Sequence, residues 1–167
     1  MESLVIDPKF WRDRSVLITG CTGVKGGWLA LWLSQLGAEV HGYSLAPPTT
    51  PNFFSAVNLG DKFSSLRLGD ICDRDALIRQ IDLVRPSVII HMAAQALVKK
   101  SYAEPAETLA TNVQGTVALM EAVRKTMSVD AVVNVTSDKC YEIRSEAEPH
   151  WASPGPSGDK TTTHDTN

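Results

Sequence analysis

The sequence predicts a doubly wound α/β fold, a parallel sheet with helices on both faces. Two observations carry that expectation. Short apolar, β-branched segments alternate with segments of helical period between Ser15 and Ser137, in the order β-α-β-(loop)-β-α-β-α-β. Strands separated by helices pair in parallel. A cluster of glycines, Gly20, Gly23, Gly26 and Gly27, then joins the first strand to the first helix.

SVLIT (15–19) reads as a buried strand, short and β-branched, ended by Gly20. From Lys25 to Leu36 the residues Trp28, Leu29, Trp32, Leu33 and Leu36 recur at helical spacing. They predict one apolar helix face, with Gly37 as the stop. AEVHGYSL (38–45) is a second strand, and APPTTPN is too rich in proline for regular structure. LRLGD (66–70) is a short third strand. DRDALIRQIDLV (73–84) is a helix with Asp73 placed to cap it. PSVIIHMAA (86–94) is apolar on both faces, as a central parallel strand should be. From Ala106 to Lys125, Leu109, Val113, Val117, Met120 and Val123 are expected to line the apolar face of a long helix. DAVVNVTS (130–137) is the fifth strand. The expected sheet is therefore incomplete, with about five strands. Residues 142–167 are rich in Pro, Gly, Ser, Thr and charge and read as a disordered C-terminal tail.

Composition narrows the function. The 167 residues suffice for one ordinary domain, and 43% hydrophobic content can bury a core. The net charge is −3 and no basic run exceeds Lys99-Lys100, which argues against a nucleic-acid partner. No apolar stretch approaches the ~20 residues of a membrane span. MESLVIDPKF has no secretory pattern, so a cytoplasmic protein is expected. Cys21, Cys72 and Cys140 are scattered and odd in number; they predict reduced thiols, with no metal site and no disulfide framework.

Gly20-x-x-Gly23-x-x-Gly26 follows a strand and opens a helix, the context in which such glycines point to a dinucleotide. The first permits a tight turn, the second lets a pyrophosphate approach the backbone, and the third lets helix and strand pack closely. The helix N-terminus supplies N–H groups and partial positive charge to the diphosphate. A glycine turn without a ligand is the plainer alternative. In its T-G-x-x-G-x-x-G spacing the segment Thr19–Gly26 resembles the extended short-chain dehydrogenase/reductase family, NAD-dependent epimerases and dehydratases with a Rossmann domain. The resemblance implies that Asp70 in LGDICD, with Ile71 beside it, meets the adenine ring. It implies that Ala93 and Ala94 of HMAAQ run beside the cofactor, and that Asn112 of TNVQGT is the family's helix asparagine. On the residues alone, Asp70 could equally cap a turn. His91 reads as a hydrogen-bonded core histidine with no catalytic role. Asn112, in mid-helix, suggests a tie from side chain to backbone.

The end of the second strand decides between cofactors. An acidic residue there takes the ribose hydroxyls in NAD-type folds. GYSLAPP (42–48) has no Asp or Glu, leaving Ser44 as the ribose contact. No Arg or Lys stands between Val40 and Gly60 to meet a 2′-phosphate, so NAD is favoured over NADP.

VNVTSDKCY (133–141) resembles the sugar-nucleotide 4,6-dehydratase branch of the family, whose hydroxyl-Asp-acid/base triplet falls at Ser137-Asp138-Lys139. Together with GVKGGWLALWL, GYSL, HMAAQALV and SYAEPAETLATNVQGT, it is similar to the members of that branch that act on CDP-glucose, over about residues 9 to 141. The resemblance implies a nucleotide-sugar substrate and an internal redox cycle. Hydride leaves the sugar C4, water is lost across C5–C6, and the hydride returns to C6. Asp138 would protonate the departing hydroxyl, Lys139 would remove the C5 proton or stabilise the enolate, and Ser137 would bond the C4 oxygen.

The family's Tyr-x-x-x-Lys pair has no counterpart in these residues. Tyr43, Tyr102 and Tyr141 are followed four positions on by Pro47, Ala106 and Ser145. Residues 1–141 are expected to form a truncated NAD-binding domain, and 142–167 depart from the family pattern. Three readings stay open: a dehydratase completed by another chain, a non-catalytic dinucleotide-binding module, or a truncated gene product without function. A sheet that stops at its fifth strand also predicts self-association through the open edge.

Overall fold

A computed structural model describes residues 7–137 of the chain. The chain divides into a compact unit ending at Val135 and a second beginning at Thr136; the architecture is that of the first. The expected tail, 142–167, lies outside the described residues.

The elements run α1 (Pro8–Trp11), β1 (Ser15–Thr19), α2 (Val24–Gln35), β2 (Glu39–Ser44), α3 (Phe53–Ala56), a 3₁₀ turn (Leu59–Lys62), β3 (Ser65–Leu68) and α4 (Arg74–Val84). They continue with β4 (Val88–His91), α5 (Val98–Ala103), α6 (Pro105–Leu109), a π-helical turn (Ala110–Gln114), α7 (Gly115–Arg124) and β5 (Ala131–Asn134). The sheet order is β3-β2-β1-β4-β5 and every pair is parallel. The order reverses between β1 and β4. In doubly wound sheets a ligand crevice opens at that point, beyond the carboxyl ends of the strands.

Alternation along β1 builds a core on each face. Val16 and Ile18 join Ala30 and Leu33 of α2, Val40 and Ile90 on one side. Leu17 joins Tyr43, Ile89, Leu77 and Ile81 of α4, and Leu119 of α7 on the other. The helices thus cover both faces, as expected. Asp73 caps α4 with its Oδ1 accepting from Ala76 N at 3.0 Å. Arg85, at φ 45°, ends that helix, and Gly37, at φ 84°, turns the chain out of α2.

The structure adjusts three expectations. The strand expected over 86–94 is only Val88–His91; beyond it the Met92 N–H is shared between the carbonyl and hydroxyl oxygens of Thr19, and the Ala93 N–H turns onto the Thr19 hydroxyl. The helix expected over 106–125 forms, as α6 and α7 joined without a gap through the π turn, with α5 ahead of it; at the π turn Thr116 Oγ1 donates to Asn112 O. The buried helix faces also differ from those expected. α7 buries Gly115, Ala118, Leu119 and Ala122, while Leu109, Val113, Val117 and Met120 stand exposed. α2 likewise buries Gly26, Gly27, Ala30 and Leu33 and leaves Trp28 and Trp32 outside. Of the faces expected from spacing, Leu29, Leu33 and Leu36 of α2 and Val123 of α7 do pack inward, whereas the two tryptophans and the row Leu109, Val113, Val117 and Met120 do not.

The two faces of α7 should separate on mutation. Leu119→Ala removes a fully buried side chain and should cost about 2–5 kcal/mol, whereas Val117→Ala, at an exposed site, should stay within about 0.5 kcal/mol. Urea unfolding of the two variants measures this; equal losses would restore the face expected from the spacing.

Candidate dinucleotide-binding site

The carboxyl ends of β1, β2 and β4 carry the residues expected at a cofactor site. Gly20 leaves β1 at φ 70°. A Cβ there would stand 2.7 Å from Ala93 N and 2.8 Å from Met92 O, so only glycine lets the loops after β1 and β4 lie against each other. A Cβ on Gly26 would overlap Gly20 O and crowd Cys21 Cα, which brings the start of α2 onto the strand end. Gly23 differs. Its backbone is extended, and a Cβ would meet only Gly20 O at 3.4 Å. The space beside it is open, as approach of a diphosphate requires. Gly23 occupies the N-cap of α2, and no side chain caps the first turn. The three glycines of the motif therefore divide into two that close the loop and one that leaves it accessible.

Beside this loop a cleft of about 390 Å3 opens between Thr22–Val24 and the Pro48–Phe53 loop. Asp70, Ile71, Ala93, Ala94 and Asn112 do not line it.

Ser44 ends β2 and is nearly buried. Thr22 Oγ1 donates to Leu45 O at 2.8 Å, which uses its one proton. At 2.8 Å, Ser44 must therefore donate to Thr22 Oγ1, and it keeps only acceptor capacity. Asp70 makes a turn: its Oδ1 accepts from Cys72 N at 2.9 Å, and its carbonyl accepts from the Tyr43 hydroxyl at 2.9 Å. The plainer alternative for Asp70 is thus realised, with the carboxylate still exposed. Ile71 is in the core beneath α7, so its side chain is committed to packing against Gly115. Ala93 is half-buried and Ala94 exposed, on the loop that Gly20 touches.

Asn112 ties side chain to backbone, as its mid-helix position suggested. Its Nδ2 donates to Gln95 O at 3.1 Å and its Oδ1 accepts from Gln95 N at 2.8 Å. The π turn that holds it is a common device for aiming a helix residue at a site. His91 is the hydrogen-bonded core histidine that its position predicted, bonded to Thr19 and Thr116. Sequence reasoning assigned no part to Thr22 or Thr116. The available signal was a hydroxyl residue inside a glycine loop, and another four residues after Asn112. Of the expected catalytic triplet, Ser137 falls in the second unit, and Asp138 and Lys139 lie outside the described residues.

Burial holds the His91 imidazole below its usual pKa, and it does the same to His41 against the opposing pull of Glu39. Burial also pushes the Cys21 thiol up to about 12, so it is an inert filler behind the glycine loop. No group of acidic, His or Cys side chains among the described residues could hold a metal. Among them, too, no helix is long and apolar enough to cross a membrane.

A parallel sheet of this order, with helices on both faces and a glycine loop at its reversal point, is a doubly wound domain of the Rossmann class. The profile of the GDP-mannose 4,6 dehydratase family matches residues 17–146, and the chain belongs to that family. CDP-glucose 4,6-dehydratase of Salmonella typhimurium is 49% identical over 140 residues, which cover 84% of this chain and 39% of that enzyme. GDP-mannose 4,6 dehydratase 2 of Caenorhabditis elegans is 35% identical over 69% of this chain and 32% of its own length. The chain thus spans less than half the length of these curated relatives. Among solved structures, UDP-glucose 4-epimerase from Brucella ovis in complex with NAD superposes with a TM-score of 0.67 at 29% identity, covering 80% of this chain and 39% of that one.

The lowered histidines make stability depend on pH. The unfolded chain, with imidazoles near about 6.5, takes up protons that the folded chain resists. Their contribution is fully present above about pH 6.5 and is lost as the pH falls below it. Urea midpoints should drop between about pH 7.5 and about pH 5.5; a midpoint that held or rose would contradict the burial of His41 and His91.

Proposed function

We propose that this chain is the NAD-binding part of a sugar-nucleotide 4,6-dehydratase whose substrate is CDP-glucose. The observation that carries the reading is the glycine loop: closed by Gly20 and Gly26, open at Gly23, and set at the uncapped start of α2. The likeness to CDP-glucose 4,6-dehydratase supports the choice of substrate. Bound NAD would supply a hydride acceptor for the sugar C4 and return the hydride at C6. Gly23 and the first turn of α2 would hold the pyrophosphate. Ser44 would accept from a ribose hydroxyl, Asp70 and the Ile71 backbone would flank the adenine, and Ala93 and Ala94 would border the cofactor. Ser137 would bond the C4 oxygen, Asp138 would give its proton to the departing C6 hydroxyl, and Lys139, once deprotonated, would take the C5 proton. Self-association belongs to the same reading, through edge strand β5 with Val133 exposed.

Calorimetric titration with NAD and NADP tests the cofactor. NAD should bind more tightly, since no cation between Val40 and Gly60 meets a 2′-phosphate. Equal or tighter binding of NADP would overturn the choice. Gly23→Val should abolish binding of either while leaving the melting temperature unchanged, because the added side chain meets open space in the free protein.

The 167-residue chain alone should not turn over CDP-glucose. Oxidation at C4 needs a base, and an unperturbed tyrosine, with a pKa of about 10, needs a nearby cation to serve as one. No tyrosine here has a lysine four residues on. The assay is the alkaline absorbance of the 4-keto sugar after incubation with NAD; turnover abolished by Asp138→Asn would refute this expectation.

A further inference from the structure

The loop Met92–Gln95 is held at both ends by one chain of hydrogen bonds, and the His91 ring is its middle link. Thr116 Oγ1 donates its only proton to Asn112 O at 2.8 Å. Across the 3.2 Å between His91 Nε2 and Thr116 Oγ1, the ring must therefore be the donor. At the other end, Thr19 Oγ1 accepts from Ala93 N at 3.2 Å and shares the Met92 N–H, at 3.1 Å, with the Thr19 carbonyl oxygen, at 3.2 Å. With these N–H groups directed at its lone pairs, its one proton turns to His91 Nδ1 at 2.6 Å. The Thr116 end requires a neutral ring protonated at Nε2 and bare at Nδ1, and the Thr19 end matches it. The parallel register makes this pairing natural, since Thr19 and His91 are direct partners between β1 and β4. Asn112 then closes the circuit by gripping Gln95 N and O with its side-chain amide.

We infer that His91 is a positioning residue: as its Nε2–H tautomer it links Thr19 to Thr116 and thereby fixes the Met92–Gln95 loop against the glycine loop. Gly20 has no space to spare against Met92 and Ala93, so a shift of that loop displaces the glycine turn as well. A histidine that merely filled the core would stabilise the domain without dictating a ring tautomer or the order of the loop. The consequence for cofactor affinity rests on the proposed NAD site; the network itself does not.

Nitrogen-15 spectra of the full chain should report His91 with Nε2 protonated and Nδ1 unprotonated. Hydrogen exchange at the Gln95 amide should quicken between about two- and tenfold in Thr116→Val, the worth of one buried hydrogen bond. His91→Phe, which keeps a ring but no nitrogen, should weaken NAD binding by the folded protein by a similar factor. His91→Gln, which can restore a donor to Thr116, should recover part of it. An Nδ1–H tautomer would overturn the inference, as would unchanged Gln95 exchange in Thr116→Val. So would wild-type NAD affinity in a folded His91→Phe. Failure of the wild-type chain to take NAD would refute the proposed function instead, leaving the ring spectrum and Gln95 exchange to decide the role of His91. If His91→Phe does not fold, Thr116→Val decides it.

Discussion

The contact between Gly20 and the backbone of Met92 and Ala93 sets the conditions for the rest of the domain. Two loops leave neighbouring parallel strands at the point where the sheet order reverses, and they can touch only because one residue lacks a Cβ. Once they touch, the start of α2 must come down onto the strand end, and Gly26 permits that approach. The requirement then passes along the helices. Gly26 brings the first turn of α2 onto the strand end, while Gly27 leaves room for Phe53 and Leu59. On the other face, Gly115 at the start of α7 leaves room for Ile71. Beneath these small residues the core is still filled by leucines, Leu33 from α2 and Leu119 from α7. Close approach at the helix starts and leucine packing further along are thus parts of one arrangement.

This explains which parts of the fold were legible in the sequence. The strands were, because β-branched runs such as SVLIT and SVIIH leave little other choice, and the capping of α4 by Asp73 was too. The positions of the helices were also legible, and their buried faces were so in part: Leu29, Leu33, Leu36 and Val123 pack inward, while Trp28, Trp32 and Val117 do not. Hydrophobic spacing assigns every large residue of a stripe to the core; here glycine and alanine take some of those places. The helix read over 106–125 forms, and only its π turn was not legible. Asn112 spends its amide on Gln95, and Thr116 returns its proton to Asn112 O, so the regular ladder gives way to a π turn.

The candidate site was legible in the same uneven manner. Glycine carries its meaning in sequence, because its absence of a side chain is what the loop uses. Asp70 carried two meanings, and the turn it makes with Cys72 is the local one that short polar side chains commonly adopt. Hydroxyl residues carried almost none. Thr19, Thr22, Ser44 and Thr116 act through the direction of a single proton, and that direction is fixed only when every neighbour is known. Spacing along the chain holds no trace of it: Thr19 and His91 are far apart in sequence and adjacent in the sheet.

Proton direction also bears on how selectivity could arise without charge. A carboxylate at the end of β2 would accept strongly from ribose, since charge-assisted hydrogen bonds are about twice as strong as neutral ones. Ser44 cannot match that strength. By donating to Thr22 it nonetheless presents lone pairs alone, the same polarity that a carboxylate offers. A serine with a free proton could turn a donor toward a phosphate; one held in this way cannot without breaking a buried bond. Discrimination at this position is then a matter of geometry imposed by Thr22 and Leu45. In the proposed site, the task of holding the dinucleotide would fall mainly on the open backbone at Gly23 and the first turn of α2, which is where the loop's two other glycines bring the chain.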